Sequence, residues 1–177
     1  MNALPTRPAT VDDAPAIAAL LVRAWQVAYA GFLPPEVVAS QRVEEREPRL
    51  RALLEGGEPD HTIHVAEQDG RVVGFVGFGP ARENPIRPAP AGAGEVYGLY
   101  LDPDAFGSGA GAALLTLAER HLAARFPLAV LWTFERNARA RRFYERQGWV
   151  HDGAAAPYPR PGCQGVRVVR YGRTLGG

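Results

Sequence analysis

The sequence predicts an α/β fold in which a mixed central sheet of about six to seven strands is flanked by about four helices. Three observations support this class. The segments TIHVAEQ and RVVGFVGFG are rich in β-branched and aromatic residues, as strands are. AIAALLVRAW places its apolar residues at helical spacing. In the second half of the chain the two kinds of segment alternate, which requires at least one strand–helix–strand crossover.

Length and composition indicate one domain over residues 1–177. The chain has 177 residues, of which 46% are apolar, and this is enough for a real core. A formal net charge of +1 gives no electrostatic reason to expect nucleic acid or a membrane surface as partner. The single Cys fits a reducing compartment, and the N-terminal segment lacks a signal-peptide pattern. We therefore expect a cytoplasmic protein.

The basic residues exclude two kinds of chemistry. All 20 cationic side chains are Arg, and the sequence contains no Lys. A Walker-type phosphate loop needs its Lys, and so does a Schiff-base mechanism. Neither function is compatible with this chain.

The first third of the chain predicts a strand followed by helices. LPTRPAT has the character of a short strand, and Thr10 can cap the helix that begins after it. We expect this helix to end before Pro34 and Pro35. The charged segment that follows, to about Leu54, predicts one or two short helices interrupted at Pro48.

The remaining elements follow in order. Asp69-Gly70 predicts a tight hairpin turn between the strands TIHVAEQ and RVVGFVGFG. A Pro- and Gly-rich loop, ENPIRPAPAGAG, precedes the strand EVYGLYLD. Next we expect the helix GAGAALLTLAERHLAARF, the strand LAVLWTF and the helix NARARRFYERQGW. HDGAAAPYPRPGCQG predicts a second irregular loop, and VRVVRYGRTL a last strand.

Alternating glycines mark the start of the helix after EVYGLYLD. Gly107, Gly109 and Gly111 bring bare backbone to a helix N-terminus. The first N–H groups of a helix have no internal partners, so a phosphate is stabilised there. Taken alone, the glycines fit a tight turn without a ligand equally well.

A dinucleotide fingerprint is a competing interpretation. Gly107, Gly109 and Ala112 can be aligned with G-x-G-x-x-A, and Glu135 ends the next strand, where a ribose-binding acid belongs. However, that fingerprint places its turn directly after the strand, whereas here LDPDAF intervenes. Too little chain also follows Phe134 for a second nucleotide-binding half. We regard this interpretation as the weaker one.

Two segments resemble conserved motifs of the GNAT superfamily of N-acetyltransferases, and the resemblance extends over nearly the full chain. EVYGLYLDPDAFGSGAGAALL resembles the acetyl-CoA motif of that superfamily, and NARARRFYERQGW its second block. The positions that match the second block are Asn137, Ala140, Phe143, Tyr144, Gly148 and Trp149. The resemblance implies a GNAT fold, acetyl-CoA as co-substrate, and an amine of a small molecule or peptide as acceptor. A homodimer is common in the superfamily.

The resemblance also implies a cofactor site on the motif strand and the glycine loop. The pantetheine arm would pair with the strand, which a bulge near Gly98 splays from its neighbour. A backbone N–H near Leu99 would then face the thioester carbonyl. The implied cofactor-binding residues are Leu99, Tyr100, Leu101, Gly107, Ser108, Gly109, Ala110, Gly111, Ala112, Asn137 and Arg142. Asn137 has a second expected task, since it can cap the helix that it precedes.

One position departs from the motif of the superfamily. Phe106 stands where relatives usually have an Arg or Gln that assists the pyrophosphate. Arg139 and Arg142 can supply a pairing charge in its place, although solvated arginines are the simpler explanation of each. The departure leaves open a second function, namely a non-catalytic acetyl-CoA sensor or interaction module on the same fold.

By the same resemblance, Tyr144 is the candidate general acid that protonates the departing sulfur. Phe143 and Tyr144 are adjacent on a helix and point about 100° apart. We therefore assign Phe143 to the core and Tyr144 to the cleft. Glu95 is the candidate general base, acting through a water, although a solvated strand-end carboxylate explains it nearly as well.

Trp25 and Tyr29 can form one aromatic ledge, because they lie four residues apart on the first helix. We expect it to line the acceptor site, with core packing as the simpler alternative. The loops 83–94 and 154–165 are expected to close over that site.

No metal site is predicted, and Cys163 has no neighbour in sequence that would make it a nucleophile. The near-neutral charge argues weakly against a polycationic acceptor.

Overall fold

One mixed sheet joins the seven strands found in the described residues, in the order β1-β2-β3-β4-β5-β7-β6. The computed structural model describes residues 4–58 and 60–176. The strands are β1 Thr6–Pro8, β2 Thr62–Gln68, β3 Arg71–Pro80, β4 Gly94–Leu101, β5 Leu128–Phe134, β6 Val150–Pro157 and β7 Arg167–Thr174. The helices in the described residues are α1 Ala14–Tyr29, α2 Pro35–Ala39, α3 Val43–Ala52, α4 Ala110–Ala123 and α5 Ala138–Arg146. None of these helices is long and apolar enough to cross a bilayer.

The predicted fold class is confirmed, with five helices in the described residues rather than about four. Strands β1 to β4 are antiparallel neighbours, whereas β4 and β5 are parallel and are connected through α4. This is the predicted crossover. The hairpin turn is also confirmed, since Asp69 and Gly70 adopt φ values of 52° and 73° between β2 and β3.

The sheet is covered on both faces, because successive side chains of its strands point to opposite sides. Val76 and Phe78 of β3 pack on one face with Leu114 and Leu115 of α4. On the other face Phe75 packs in a separate apolar cluster with residues of α1 and α2. The two clusters hold α1 and α4 on opposite sides of β3 and β4.

Strand β6 replaces part of a predicted loop, so that prediction is wrong. The segment HDGAAAP has low β propensity, and most of its residues are exposed. β6 is an edge strand that pairs only with β7, and its register is irregular between His151 and Ala155. Pairing with a strand distant in sequence therefore decides its conformation, and local sequence does not contain that information.

Pro48 does not interrupt its helix, contrary to the prediction. α3 continues through it from Val43 to Ala52. Pro48 and Glu44 both lie on the exposed face of α3, where water can satisfy the Glu44 carbonyl that Pro48 leaves without a donor. Leu50 on the same helix packs against the apolar cluster that contains α1, and this contact favours the continuous helix.

A buried carboxylate ties the first strand to the start of α1. The two terminal guanidinium nitrogens of Arg7 on β1 donate to Asp13, at 2.7 and 2.9 Å. The backbone N–H of Thr10 also donates to Asp13, at 2.7 Å. Asp13 is only 7% exposed, and these donors, above all Arg7, lower the pKa of its carboxyl to about 2.

We expect Asp13→Asn to lower the free energy of unfolding by about 2 kcal/mol at pH 7. Because the pKa of Asp13 in the folded state is below its ordinary value, its contribution is fully present above about pH 4 and is lost as the pH falls towards 2. Urea unfolding from pH 7 to pH 3 measures this, and the gap between mutant and wild type must narrow. Asp12→Asn, at an exposed neighbour, is the control. A gap that does not change with pH contradicts a role for the charge.

Candidate active site

Strands β4 and β5 separate shortly after they begin to pair. Their parallel pairing covers only Gly94–Val96 and Ala129–Leu131. On its other edge β4 contains a bulge at Tyr97, because Gly77 pairs with Gly98 while the next residue of β3 pairs with Val96. The bulge predicted near Gly98 is confirmed. Beyond it, β4 keeps β3 as a neighbour and loses β5.

The separation leaves backbone amides of β4 unpaired. The N–H of Asp102 donates to the carbonyl of Val73 on β3 at 2.8 Å. In an antiparallel pair such bonds recur at every second residue, so the N–H groups of Leu99 and Leu101 point away from β3. They face the gap that β5 has left, and the gap can accept a polar chain that pairs like a strand.

Gly98 makes room for a side chain within the same strand. A Cβ at Gly98 would lie 2.8 Å from the ring of Tyr100, which is closer than atoms can approach. With glycine there, the Tyr100 ring lies over the strand and stacks on Phe75, with the ring centroids 5.4 Å apart. The glycine that weakens the strand therefore also shapes its surface.

The glycine loop presents free amides at the N-terminus of α4. Gly107 and Gly109 have φ values of 84° and 90°, which a side chain disfavours, and nothing lies within 4 Å of either missing Cβ. Within residues 4–58 and 60–176, the N–H groups of Gly107, Gly109, Gly111 and Ala112 donate no hydrogen bond. With the positive end of the α4 dipole, they form a site suited to a phosphate or pyrophosphate.

A cavity of about 710 Å³ connects this loop with the open edge of β4 and with α1. The predicted site residues that line it are Trp25, Tyr29, Leu99, Tyr100, Leu101, Gly107, Gly109, Gly111, Ala112, Asn137 and Tyr144. The predicted site residues outside it are Glu95, Ser108, Ala110 and Arg142. Ala110 is fully buried, and its N–H donates to the Ser108 hydroxyl at 3.3 Å. Most of the predicted site residues therefore line this one cavity.

The ring of Phe106 stacks against the guanidinium group of Arg139 beside the glycine loop. The guanidinium carbon of Arg139 lies 3.5 Å from the centre of the Phe106 ring, a cation–π contact, and both residues line the cavity. Of the two arginines that the sequence offered as substitutes, Arg139 is placed at the site. Arg142 is exposed and lies outside the cavity.

Asn137 caps α5, as expected. Its side-chain oxygen accepts a hydrogen bond from the N–H of Ala140 at 3.1 Å, and the residue also borders the cavity. The cap fixes the first turn of the helix that carries both Arg139 and Tyr144.

Tyr144 is more buried than predicted. It is 8% exposed and packs near Trp149 and Tyr171, while Phe143 is only partly buried. Tyr144 lines the cavity, in agreement with its assignment to the cleft. Phe143 lines the cavity as well and is only partly buried, so its assignment to the core is wrong. The reason is that the cavity extends towards Gly111, where the absence of a side chain brings Phe143 to its wall.

The Tyr144 hydroxyl has the properties of a proton donor. It makes no hydrogen bond in the part of the chain that the structure describes. Burial, and to a lesser degree the neighbouring Tyr100, raises the pKa of Tyr144 above its ordinary value. The hydroxyl, which is protonated at neutral pH even without this shift, is therefore kept neutral, and it lines the cavity with its proton available.

Glu95 lies at the start of β4 and is partly buried. Its carboxylate accepts a hydrogen bond from the backbone N–H of Arg82 at 3.0 Å. Burial raises the pKa of Glu95, and the contact with Arg82 lowers it to a smaller extent. Because Glu95 does not line the cavity, its role as a base stays a prediction.

Aromatic rings form one wall of the cavity. Trp25 and Tyr29 meet edge to face with centroids 4.8 Å apart, which is the predicted ledge. Phe134 extends it, 4.8 Å from both Tyr29 and Tyr158. All four residues line the cavity.

Several residues that line the cavity were not predicted from the sequence. They are Arg46 on α3, Arg87 in the loop before β4, Tyr97 on β4, Trp132 on β5 and Tyr158 after β6. The bulge next to Gly98 was a signal for Tyr97, and the alternation of β5 was one for Trp132. Arg87 and Tyr158 come from the two segments expected to close over the site, but no periodicity in a loop identifies the residue that reaches it.

The comparison with known families decides the assignment. The model of the acetyltransferase (GNAT) family matches residues 21–149. The chain belongs to the GNAT family.

Curated relatives and solved structures that resemble this chain are acetyltransferases by name. A Mycobacterium tuberculosis protein named "Probable N-acetyltransferase Rv2775" is 29% identical over 96% of this chain and 91% of its own. The mycothiol acetyltransferase of Thermomonospora curvata is 34% identical, but the match covers only 56% of this chain and 31% of that protein. Among solved structures, the PaiA N-acetyltransferase of Thermoplasma acidophilum in complex with coenzyme A superposes with a TM-score of 0.76. At 17% identity, over 98% of this chain and 99% of that one, it shows a common fold.

The dinucleotide interpretation does not fit this GNAT domain. A helical turn, Pro103–Ala105, separates β4 from the glycine loop, and a dinucleotide fingerprint has no such spacer. Instead, the GNAT sheet opens between β4 and β5 beside the loop, and the two features border one cavity.

Proposed function

We propose that this chain is an N-acetyltransferase that transfers an acetyl group from acetyl-CoA to a primary amine by direct attack in a ternary complex. The observation that carries the proposal is the single cavity that joins the free amides at α4, the unpaired edge of β4 and the aromatic wall on α1. These surfaces suit a pyrophosphate, a pantetheine arm and an acceptor, respectively. Family membership supports the reaction class.

In this proposal the cofactor is held mainly by backbone. The N–H groups of the glycine loop bind the pyrophosphate, and Arg139 adds a charge that Phe106 holds in place. The edge of β4 at Leu99 and Leu101 pairs with the pantetheine amides. The glycine loop can accommodate a pyrophosphate, because its free N–H groups donate no hydrogen bond and no atom lies within 4 Å of the missing Cβ of Gly107 or Gly109.

The reaction needs two proton transfers and one oxyanion donor. The acceptor amine loses a proton and forms a C–N bond to the acetyl carbon as the C–S bond breaks. The N–H of Leu99 donates to the carbonyl oxygen, where negative charge develops. The Tyr144 hydroxyl gives its proton to the departing sulfur, so that CoA leaves as a thiol. Glu95 receives the proton of the amine through a water.

The overall proposal is tested by incubating the protein with acetyl-CoA and a panel of primary amines while free thiol is monitored. We expect thiol release that depends on the amine and an acetylated product of the matching mass. Tight binding of acetyl-CoA without release on any amine would instead identify the chain as a sensor of that cofactor.

Tyr144→Phe is expected to lower kcat by roughly 100-fold or more with little change in KM for acetyl-CoA. The variant keeps the ring and its packing and removes only the proton donor. Steady-state kinetics measure the effect. Tyr171→Phe, outside the cavity, is the control for loss of a hydroxyl that has a structural role, since Tyr171 donates to Glu145 and accepts from Arg141. Unchanged turnover in Tyr144→Phe would remove the acid role.

Arg139→Ala and Arg142→Ala form a matched pair on one helix. We expect Arg139→Ala to raise KM for acetyl-CoA several-fold, about 3- to 10-fold, because a charge beside the pyrophosphate is lost. Phe106→Ala should raise KM for acetyl-CoA to a smaller extent, because it removes the ring against which Arg139 stacks. Arg142→Ala should resemble wild type. If Arg142→Ala has the larger effect, the placement of the pyrophosphate beside Phe106 is wrong.

A further inference from the structure

The charges around the cavity are all of one sign. Within the described parts of the chain its charged lining residues are Arg46, Arg87, Arg139 and Arg146, and no Asp or Glu lines it. Arg139 is stacked on Phe106 at the glycine loop, and Arg146 shares its helix. Arg46 and Arg87 come from other elements and are not accounted for by the cofactor.

Arg87 has a buried donor without an acceptor. Its Nε is inaccessible to solvent and has no hydrogen-bond partner in the part of the chain that the structure describes. No described carboxylate lies within 4.0 Å of its guanidinium. Glu95 is near enough for Arg87 to lower the pKa of its carboxyl, but the two form no ion pair. The positive charge of Arg87 is therefore not neutralised by a described ion pair, and because Arg87 lines the cavity, an anionic ligand there would be attracted to it.

Arg46 is also available to an anion. Its guanidinium lies 5.8 Å from the centre of the Trp25 ring and donates to the side-chain oxygen of Gln41, a neutral partner. A further guanidinium, that of Arg160, lies 6.0 Å from the same ring and donates to Ser40. A strongly cationic environment therefore surrounds the aromatic ledge, and a polycationic acceptor would be repelled from it.

We propose that the acceptor is a primary amine that also carries a carboxylate and an apolar or aromatic body, as an aromatic amino acid does. Arg87 and Arg46 bind its carboxylate, and the flat body packs among Trp25, Trp132 and Tyr158. The amine is directed to the gap beside β4. This inference names the acceptor of the proposed acetyl transfer and rests on that function.

The cationic surroundings also help the chemistry. Nearby positive charges lower the pKa of an ammonium group, and no acidic residue lines the described cavity to stabilise its charged form. The amine therefore loses its proton more readily than in water, and the neutral form is the one that attacks the acetyl carbon. The products are an N-acetylated amino acid and free CoA.

The test compares acceptors that differ only in the carboxylate. kcat/KM is measured by thiol release for tyrosine against tyramine, for phenylalanine against phenethylamine, and for spermidine as a polycation. We expect each amino acid to exceed its decarboxylated partner at least tenfold, and spermidine to be the poorest acceptor.

Variants then assign the preference to the two arginines. Arg87→Gln and Arg46→Gln should each reduce the tyrosine-to-tyramine ratio several-fold while KM for acetyl-CoA stays near that of wild type. Arg49→Gln, at an exposed position on the same helix as Arg46, is the control and should keep the wild-type ratio. The measurements on wild type decide the question even if one variant does not fold.

The outcomes separate this inference from the proposed function. Tyramine or spermidine as an equal or better acceptor than tyrosine would overturn the inference and leave the acetyltransferase proposal standing. A preference for tyrosine that survives both substitutions would overturn the role of the arginines. Thiol release on none of these five amines, but on another amine of the wider panel, would overturn the inference alone. Release on no amine of the wider panel, with acetyl-CoA still bound in calorimetry, would overturn both proposals.

Discussion

The separation of β4 from β5 is the feature on which the rest of the site depends. A paired parallel sheet would use every backbone donor of both strands and leave no room between them. Here pairing ends at Val96, and the bulge at Tyr97 redirects the strand. The amides of Leu99 and Leu101 are thereby free. Such groups are stable only where water or a ligand satisfies them, so the gap must open into a cavity.

The two apolar clusters hold the parts of the site in place around that gap. α4 is fixed by Leu114 and Leu115 on one face of the sheet, and α1 by the cluster on the other. A side chain at Gly111 would approach Leu101 at 3.2 Å and Phe143 at 3.4 Å. Glycine at this position therefore serves close packing of helix on strand, while Gly107 and Gly109 serve the backbone turn. One motif thus meets two different constraints.

Arginine supplies the positive charge of the site, and aromatic rings support it. Phe106 brings no polar side chain to the glycine loop, but its ring lies against Arg139, whose guanidinium carbon is 3.5 Å from the ring centre. The charge is thus provided from α5 instead of from the loop. The same pairing of guanidinium and ring recurs at Trp25 with Arg46. A planar cation with a delocalised charge suits this contact better than an ammonium group does.

The sequence by itself determined the fold class, the crossover through α4 and the glycine loop, because each has a local cause in periodicity or backbone freedom. The family resemblance added the bulge near Gly98. The sequence did not reveal β6, whose residues become a strand only by pairing with β7. The sequence also did not reveal that Tyr144 is almost fully buried, or that Arg46 and Arg87 line the cavity. Those depend on where distant elements meet. Only tertiary packing decides which side chains of α3 and of a loop without periodicity face the same space.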